Sequence, residues 1–69
     1  MEYLVIYEKA EDGTVWAQIP DLPGCFSSGF TLIEAKQNVR DAIELHLEGL
    51  HEEGFATPIP SVSFELVEV

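Results

Sequence analysis

One long helical stretch restricts the fold of this 69-residue chain more than any other feature. Thr31 and Glu34 have the spacing of a capping box, in which a hydroxyl and a carboxylate bind the free amide groups that begin a helix. Gly54 is a residue type that commonly follows a helix C-terminus. Between these signals, residues of one stripe recur every three or four positions; they are Leu32, Ala35, Val39, Ala42, Ile43, His46 and Leu50. The sequence therefore predicts one amphipathic helix from Thr31 to Glu53 with a single stripe to bury.

Short runs rich in β-branched and aromatic residues lie on both sides of that helix. Residues 2–8 and 14–19 predict two strands, joined at Asp12-Gly13, which is a frequent hairpin turn. Residues 25–28 predict a short third strand, and the alternation over 61–69 predicts a last one after the helix. The order β-β-β-α-β indicates an α+β fold, with a small antiparallel sheet and one long helix packed on one face.

The first two strands are expected to present unequal faces. A hairpin loop of either two or four residues places Leu4, Ile6, Val15, Ala17 and Ile19 on the face that the helix covers. The other face then carries the candidate partner-binding residues, which are Tyr3, Val5, Tyr7, Trp16 and Gln18. Because one helix covers only one side of a sheet, we expect these residues to stay partly exposed and to bind either a second copy or a foreign protein.

The charge balance excludes several classes of partner. The chain has three Lys and Arg residues against thirteen Asp and Glu residues, a formal net charge of −10. Nucleic-acid backbones and anionic membrane surfaces both require clustered cations, so we expect neither to be bound directly. A basic protein is favoured instead, because opposite potentials steer association.

Cysteine usage and the N-terminal sequence indicate the compartment. Cys25 is the only cysteine and can form no internal disulfide, and small proteins without disulfides are more often intracellular. The first residues carry acids rather than the basic region of a signal peptide, and no apolar run reaches the length of a membrane span. We therefore expect a cytoplasmic protein.

Residues with catalytic potential form no convincing set. Cys25 with His46 or His51 could act as a nucleophile and base, but a lone cysteine is more often a small buried apolar residue. The two histidines are five residues apart, or about 140° around a helix, so they would not share a metal. Carboxylates could gather around Mg²⁺ in a nuclease, although helix acids usually face water. We therefore expect no enzyme activity, no metal and no cofactor, and keep a metal-dependent nuclease as the less favoured alternative.

The order of motifs resembles the HicB-like antitoxin family over nearly the whole chain. Its most specific part is Ile19-Pro-Asp-Leu-Pro-Gly-Cys25, followed within seven residues by the Thr31-x-x-Glu34-Ala35 helix start. The resemblance implies a partly RNase H-like β-β-β-α-β domain that binds and neutralises a small basic mRNA interferase, the HicA toxin. Many members of the family also carry a C-terminal DNA-binding domain. Since this sequence reaches Val69 directly after the last predicted strand, we expect one domain over residues 1–69 without that addition.

Self-association is expected alongside toxin binding. A chain of this size buries only about 60% of the surface of its unfolded form, so a homodimer or higher homo-oligomer would add stability. An orphan homo-oligomeric protein with a structural or regulatory role, acting without a toxin, is therefore the alternative from a different functional class.

Overall fold

A computed structural model describes all residues of the chain, Met1–Val69, as a three-stranded antiparallel sheet followed by one helix. The elements are β1 (Ile6–Lys9), β2 (Val15–Gln18), β3 (Phe26–Gly29) and α1 (Leu32–Glu52). The strands lie in the order β1-β2-β3, so β1 and β3 are the edges of the sheet. The predicted α+β fold with one long helix is confirmed, although the first strand begins at Ile6 and is shorter than expected.

Both ends of α1 lie where the local signals predict them. At the N-terminus, the Glu34 amide donates to Thr31 Oγ1 at 3.1 Å, and Glu34 Oε1 accepts from the Phe30 amide at 3.4 Å. The capping box therefore forms, with the carboxylate bound to the amide one residue earlier than in its usual arrangement. At the C-terminus, the amides of Gly54 and Phe55 donate to the carbonyls of His51 and Leu50, and Gly54 has a φ of 84°. This pair of bonds is the Schellman motif, which ends the helix.

The helix packs against β2 and β3 on one side of the sheet. The side chains buried there are apolar; the core cluster is Ala17, Ile19, Leu22, Cys25 and Val39. Leu22 comes from the Pro20–Gly24 loop and is completely buried. Gly29 in β3 lies so close to the helix that a Cβ atom there would be 2.6 Å from the Ala35 backbone nitrogen. The β3 strand and the first turns of α1 are therefore the tightly packed end of the domain.

The hairpin between β1 and β2 has a three-residue loop, Glu11-Asp12-Gly13, rather than a loop of two or four. The Ala10 amide donates to the Thr14 carbonyl at 2.7 Å, and the Gly13 amide donates to the Ala10 carbonyl at 3.0 Å. Gly13 has a φ of 91°, as expected for the left-handed residue that completes a turn of this length. The Thr14 amide also donates to Asp12 Oδ1 at 2.9 Å, and this bond lowers the pKa of Asp12.

This odd loop length corrects the predicted division of the sheet faces. Tyr7 lies opposite Ala17, and Glu8 lies opposite Trp16. Because a shift of one residue turns every side chain of a strand to the other face, the predicted face assignment of β1 is wrong. Tyr3, Val5 and Tyr7 pack against the core on the helix side, whereas Ile6 lies on the open side with Trp16 and Gln18.

The structure also differs from the prediction at the C-terminus, where residues 61–69 form no strand. A strand needs main-chain partners, and the amides at the start of this segment bond to a side chain instead. Those of Ser61 and Val62 donate to Asp21 Oδ2 at 3.2 and 3.3 Å. The residues that follow are exposed, with Leu66 91% accessible. We call residues 61–69 the C-terminal arm.

Candidate partner-binding surfaces

The open side of the sheet carries an aromatic cluster. The rings of Trp16 and Phe26 are 6.2 Å apart between centroids and inclined by 39°, within the range of favourable aromatic pairs. They border a shallow depression of about 320 Å³. We call this surface the outer face and define it as Ile6, Glu8, Trp16, Gln18 and Phe26.

The exposure of the outer face follows from the topology. Alternation along β2 directs Val15 and Ala17 into the core and Trp16 and Gln18 to solvent. The only helix lies on the opposite side, so nothing in the chain covers the rings. Trp16 is 47% exposed and Phe26 is 62% exposed. A solvated sheet face is normally polar, and exposed Trp and Phe side chains of this kind are typical anchors of a protein–protein interface.

The structure separates the five predicted site residues into two groups. Trp16 and Gln18 lie on the outer face as expected. Tyr3, Val5 and Tyr7 are half-buried on the helix side and do not share that surface. Ile6 and Phe26, which the sequence analysis did not select, take their places. Glycine at the third position of Glu11-Asp12-Gly13 is typical of a three-residue hairpin loop. This signal could have predicted the odd loop length, and with it the position of Ile6 on the outer face.

A second concave surface lies between β1 and the helix. The helix packs on β3 and β2 and leaves the side of β1 open. The resulting depression of about 390 Å³ has apolar walls and a charged rim. We call it the β1 groove; its lining residues are Val5, Tyr7, Lys36, Val39, Arg40, Ile43 and Glu44.

The Pro20–Gly24 loop holds the start of the C-terminal arm through Asp21. Ser61 Oγ donates to Asp21 Oδ1 at 2.8 Å, in addition to the two backbone bonds to Oδ2. The Ser61 hydroxyl is the main cause that lowers the pKa of Asp21, and the backbone amides add to it. Nearby, the Tyr3 hydroxyl donates to the Pro58 carbonyl. Asp21 of the Pro20–Gly24 loop thus connects two positions that are 40 residues apart in the chain.

The residues considered for catalysis are Cys25, His46 and His51. Cys25 is buried, and burial raises the pKa of its thiol, which is opposite to the shift that activates a nucleophile. His46 borders the same surface depression as Cys25, whereas His51 bonds to the Thr57 hydroxyl. No three His, Cys, Asp or Glu side chains lie close enough together to hold a metal ion. Helix α1 also lacks the continuous apolar length needed to cross a membrane.

An acidic α+β domain with an exposed aromatic sheet face has features typical of small protein-binding modules. The comparisons with known proteins define the class more closely. The family described as the HicB-like antitoxin of bacterial toxin–antitoxin systems matches residues 3–68. The chain therefore belongs to the HicB-like antitoxin family.

The fold is similar to a solved structure of that class. A chain of the HicA3 and HicB3 toxin–antitoxin complex aligns with a TM-score of 0.73 and 33% sequence identity. The alignment covers 88% of this chain and 70% of the other.

Relatives occur in a phage, an archaeon and a cyanobacterium. The 14.9 kDa protein of the rep–hol intergenic region of Haemophilus phage HP1 is 47% identical over 58 residues. These are 84% of this chain but only 43% of the phage protein, so the chain spans less than half of that relative. A UPF0150 protein of Thermoplasma acidophilum is 41% identical, with 84% of both chains covered. A UPF0150 protein of Synechocystis is 47% identical, with 84% of this chain and 71% of the relative covered.

Proposed function

We propose that this protein is the antitoxin of a toxin–antitoxin pair, and that it neutralises a small basic mRNA interferase of the HicA kind by direct contact. The observation that carries the proposal is the family match over residues 3–68, together with the similarity to a chain of a solved toxin–antitoxin complex. Such a complex would act in the cytoplasm, where mRNA is found.

The outer face is the surface that we propose for toxin binding. Its aromatic side chains are already exposed and lie on a rigid strand pair, so little conformational entropy is lost when they are buried. Trp16 lies in the central strand, with Phe26 and Ile6 on its two neighbours. Large aromatic residues at the centre of an interface commonly supply most of the binding energy. Tyr3, Val5 and Tyr7 face the helix side of the sheet instead.

The acidic surface supports a basic partner. The exposed side of α1 carries four acids from the middle of the helix to its C-terminus, which are Asp41, Glu44, Glu48 and Glu52. A net charge of −10 accelerates encounter with a cationic ribonuclease and opposes encounter with its RNA substrate. Electrostatic attraction therefore raises the association rate, while the outer face holds the complex together.

The residues of the chain support a role in binding without catalysis. The thiol of Cys25 is buried and poorly ionised, and the helix acids face solvent rather than one another across a cleft. Occlusion of the catalytic surface of the toxin needs no reactive group on the antitoxin. Self-association of the antitoxin is compatible with this role, provided that it uses another surface.

The proposal is tested by mixing the protein with a small basic ribonuclease of the HicA kind, taken from a neighbouring gene of the same genome where there is one, and measuring RNA cleavage. Full inhibition at a 1:1 or other fixed molar ratio is expected. Trp16→Ala should raise the dissociation constant of the complex by roughly 30-fold, which is the effect of losing an anchor worth about 2 kcal/mol. Ile33→Ala is the matched control, because Ile33 is an equally apolar residue, 72% exposed, on the helix. Unchanged cleavage in excess antitoxin would refute the proposal.

A further inference from the structure

The outer face carries one charged group, and that group lies beside the exposed indole. Glu8 is the cross-strand partner of Trp16, and Gln18 is the partner of both Ile6 and Phe26. Directly opposed side chains have Cβ atoms about 4.5–5.5 Å apart, so the Glu8 side chain adjoins the Trp16 ring. The depression of about 320 Å³ that these residues line therefore combines one carboxylate, one amide and three large apolar side chains.

The polar groups of this depression have no partner within the chain. Lys9 follows Glu8 but lies on the other side of β1, opposite the buried Val15. The other two cations, Lys36 and Arg40, line the β1 groove on the helix side of the sheet. The hydrogen bonds that side chains form in this protein involve neither Glu8 nor Gln18. The Glu8 carboxylate is thus free to pair with a cation from another molecule.

The neighbours of the carboxylate select the kind of cation. A guanidinium group is planar, stacks on aromatic rings and pairs with a carboxylate through two parallel hydrogen bonds, whereas an ammonium group is a compact and strongly hydrated point charge. An arginine that lies on the Trp16 ring gains a cation–π contact there and can reach Glu8 at the same time. Its apolar stem then lies against Ile6 or Phe26.

The size of the depression agrees with a single side chain. Its volume of about 320 Å³ is at the small end of the range for ligand pockets, and it is a shallow surface site rather than a cavity. The net charge of −10 excludes a carboxylate or phosphate ligand beside Glu8, because both would be repelled. A cationic side chain on the surface of a basic protein meets neither objection.

We propose that the depression around Trp16 receives one arginine side chain of the basic partner, with its guanidinium group stacked on the indole and paired with Glu8. This inference rests on the proposed function for the class of partner, and it names the residue type that the outer face recognises. The Gln18 side-chain oxygen accepts a further N–H of the same group. Trp16 then supplies contact area, and Glu8 makes the site selective for positive charge.

The isolated protein tests the proposal first, with the amides of Nα-acetylarginine, Nα-acetylcitrulline and Nα-acetyllysine as probes. Trp16 is the only tryptophan, so its indole N–H gives one resonance in ¹H–¹⁵N spectra. The arginine amide should shift this resonance saturably, and the other two should bind roughly fivefold or more weakly, since citrulline lacks the charge and lysine lacks the planar fork. Absence of a saturable shift, or equal binding of all three amides, would overturn the proposal. An indole resonance that moves when the protein alone is diluted would show a second copy in the depression and would also overturn it.

The matched variants are Glu8→Gln and Glu48→Gln, which remove the same charge from the outer face and from the exposed side of α1. Glu8→Gln should abolish the preference for arginine over citrulline, and Glu48→Gln should preserve it. Both residues are exposed, and circular dichroism checks that both variants fold. A Glu8→Gln variant that still prefers arginine would refute the pairing with Glu8.

The complex with a basic ribonuclease of the HicA kind separates this inference from the proposed function. Glu8→Gln should raise the dissociation constant about 30-fold or more, because a cation is left buried without its partner. Glu48→Gln should raise it less than about fivefold, as expected for a charge in solvent. If the native protein stops RNA cleavage but the two variants bind equally well, the arginine site is refuted and the antitoxin role stands. If the arginine amide binds at Trp16 but cleavage continues in excess protein, the arginine site stands and the antitoxin role is refuted.

Discussion

Gly29 allows β3 to approach the helix backbone, and its replacement by alanine measures how tightly these two elements are packed. A Cβ atom at this position would lie 2.6 Å from the Ala35 nitrogen, 2.9 Å from the Glu34 carbonyl carbon and 3.0 Å from Glu34 Cβ. Two of these neighbours are backbone atoms, so no side-chain rotation can relieve the contact. The helix must move away from the sheet, at the end where Ala35 is completely buried.

The size of the effect follows from two opposing terms. Overpacking of this kind destabilises a protein by about 1–3 kcal/mol. Replacing glycine by alanine restricts the unfolded chain and returns about 0.4–1 kcal/mol. We therefore expect Gly29→Ala to lower the free energy of unfolding by about 1–2 kcal/mol, equivalent to a decrease in Tm of about 5–15 °C for a domain of this size.

Urea denaturation followed by circular dichroism measures this change, and Gly49 provides the control. Gly49 lies inside α1, and the position that an added methyl group would take there has no atom within 4 Å. Gly49→Ala should therefore stabilise the protein by about 0.5–1 kcal/mol. The two substitutions add the same methyl group and are expected to have opposite signs. A Gly29→Ala variant as stable as the native protein would refute the close approach of β3 and α1.

Three further outcomes are expected. Gly13→Val should lower the free energy of unfolding by about 1–2 kcal/mol, because the residue has a φ of 91° and an added side chain would gain no contact that offsets the backbone strain. The same urea assay measures this change, and an unchanged midpoint would contradict the three-residue loop. The pKa of Asp21 is lower in the folded protein than its ordinary 3.8, so its contribution to holding the arm is present at neutral pH and is lost as the pH falls through the lowered value. Amide exchange at Ser61 and Val62 should be faster at that low pH than at pH 7, after correction for the intrinsic rates, and Asp21→Asn should abolish the difference. Equal protection of these amides at both pH values would contradict the holding of the arm by the Asp21 carboxylate. Association with the basic toxin should slow about tenfold or more between low and high salt, by stopped-flow fluorescence, and a salt-independent rate would exclude electrostatic steering.

The helix was predictable from the sequence because its signals are local. Thr31, Glu34 and Gly54 act through hydrogen bonds to residues within a few positions, and the structure forms each of those interactions. The three strands that precede the helix were predictable for the same reason, since strand-forming runs are recognisable one at a time. The α+β class follows from the order of these elements.

The faces of the sheet were harder to predict, because they depend on the number of residues in one loop. Loops of two, three or four residues fit the Asp12-Gly13 signal almost equally well, but only the odd number places Ile6 beside Trp16. Phe26 could be assigned to the outer face only after the pairing of β3 with β2 was known. The outer face was therefore recognised in part, through Trp16 and Gln18.

The strand predicted over residues 61–69 does not form, and the reason is different. Its alternation expresses a preference for extended structure, but a strand also needs an edge to pair with. In this chain the arm begins on Asp21, and its apolar residues remain in solvent. Pattern alone does not specify whether the partner edge lies in the same molecule or in another.

Trp16 is the only tryptophan in the chain, and it provides the most direct test of toxin binding through the outer face. Protein labelled with 5-fluorotryptophan gives one ¹⁹F resonance, whose exposure to a soluble paramagnetic quencher can be measured before and after the toxin is added. We predict a quencher-accessible ring in the free antitoxin, and a shifted, protected resonance at the ratio that stops RNA cleavage. A Trp16 signal that stays fully accessible while cleavage is completely inhibited would contradict toxin binding at this surface.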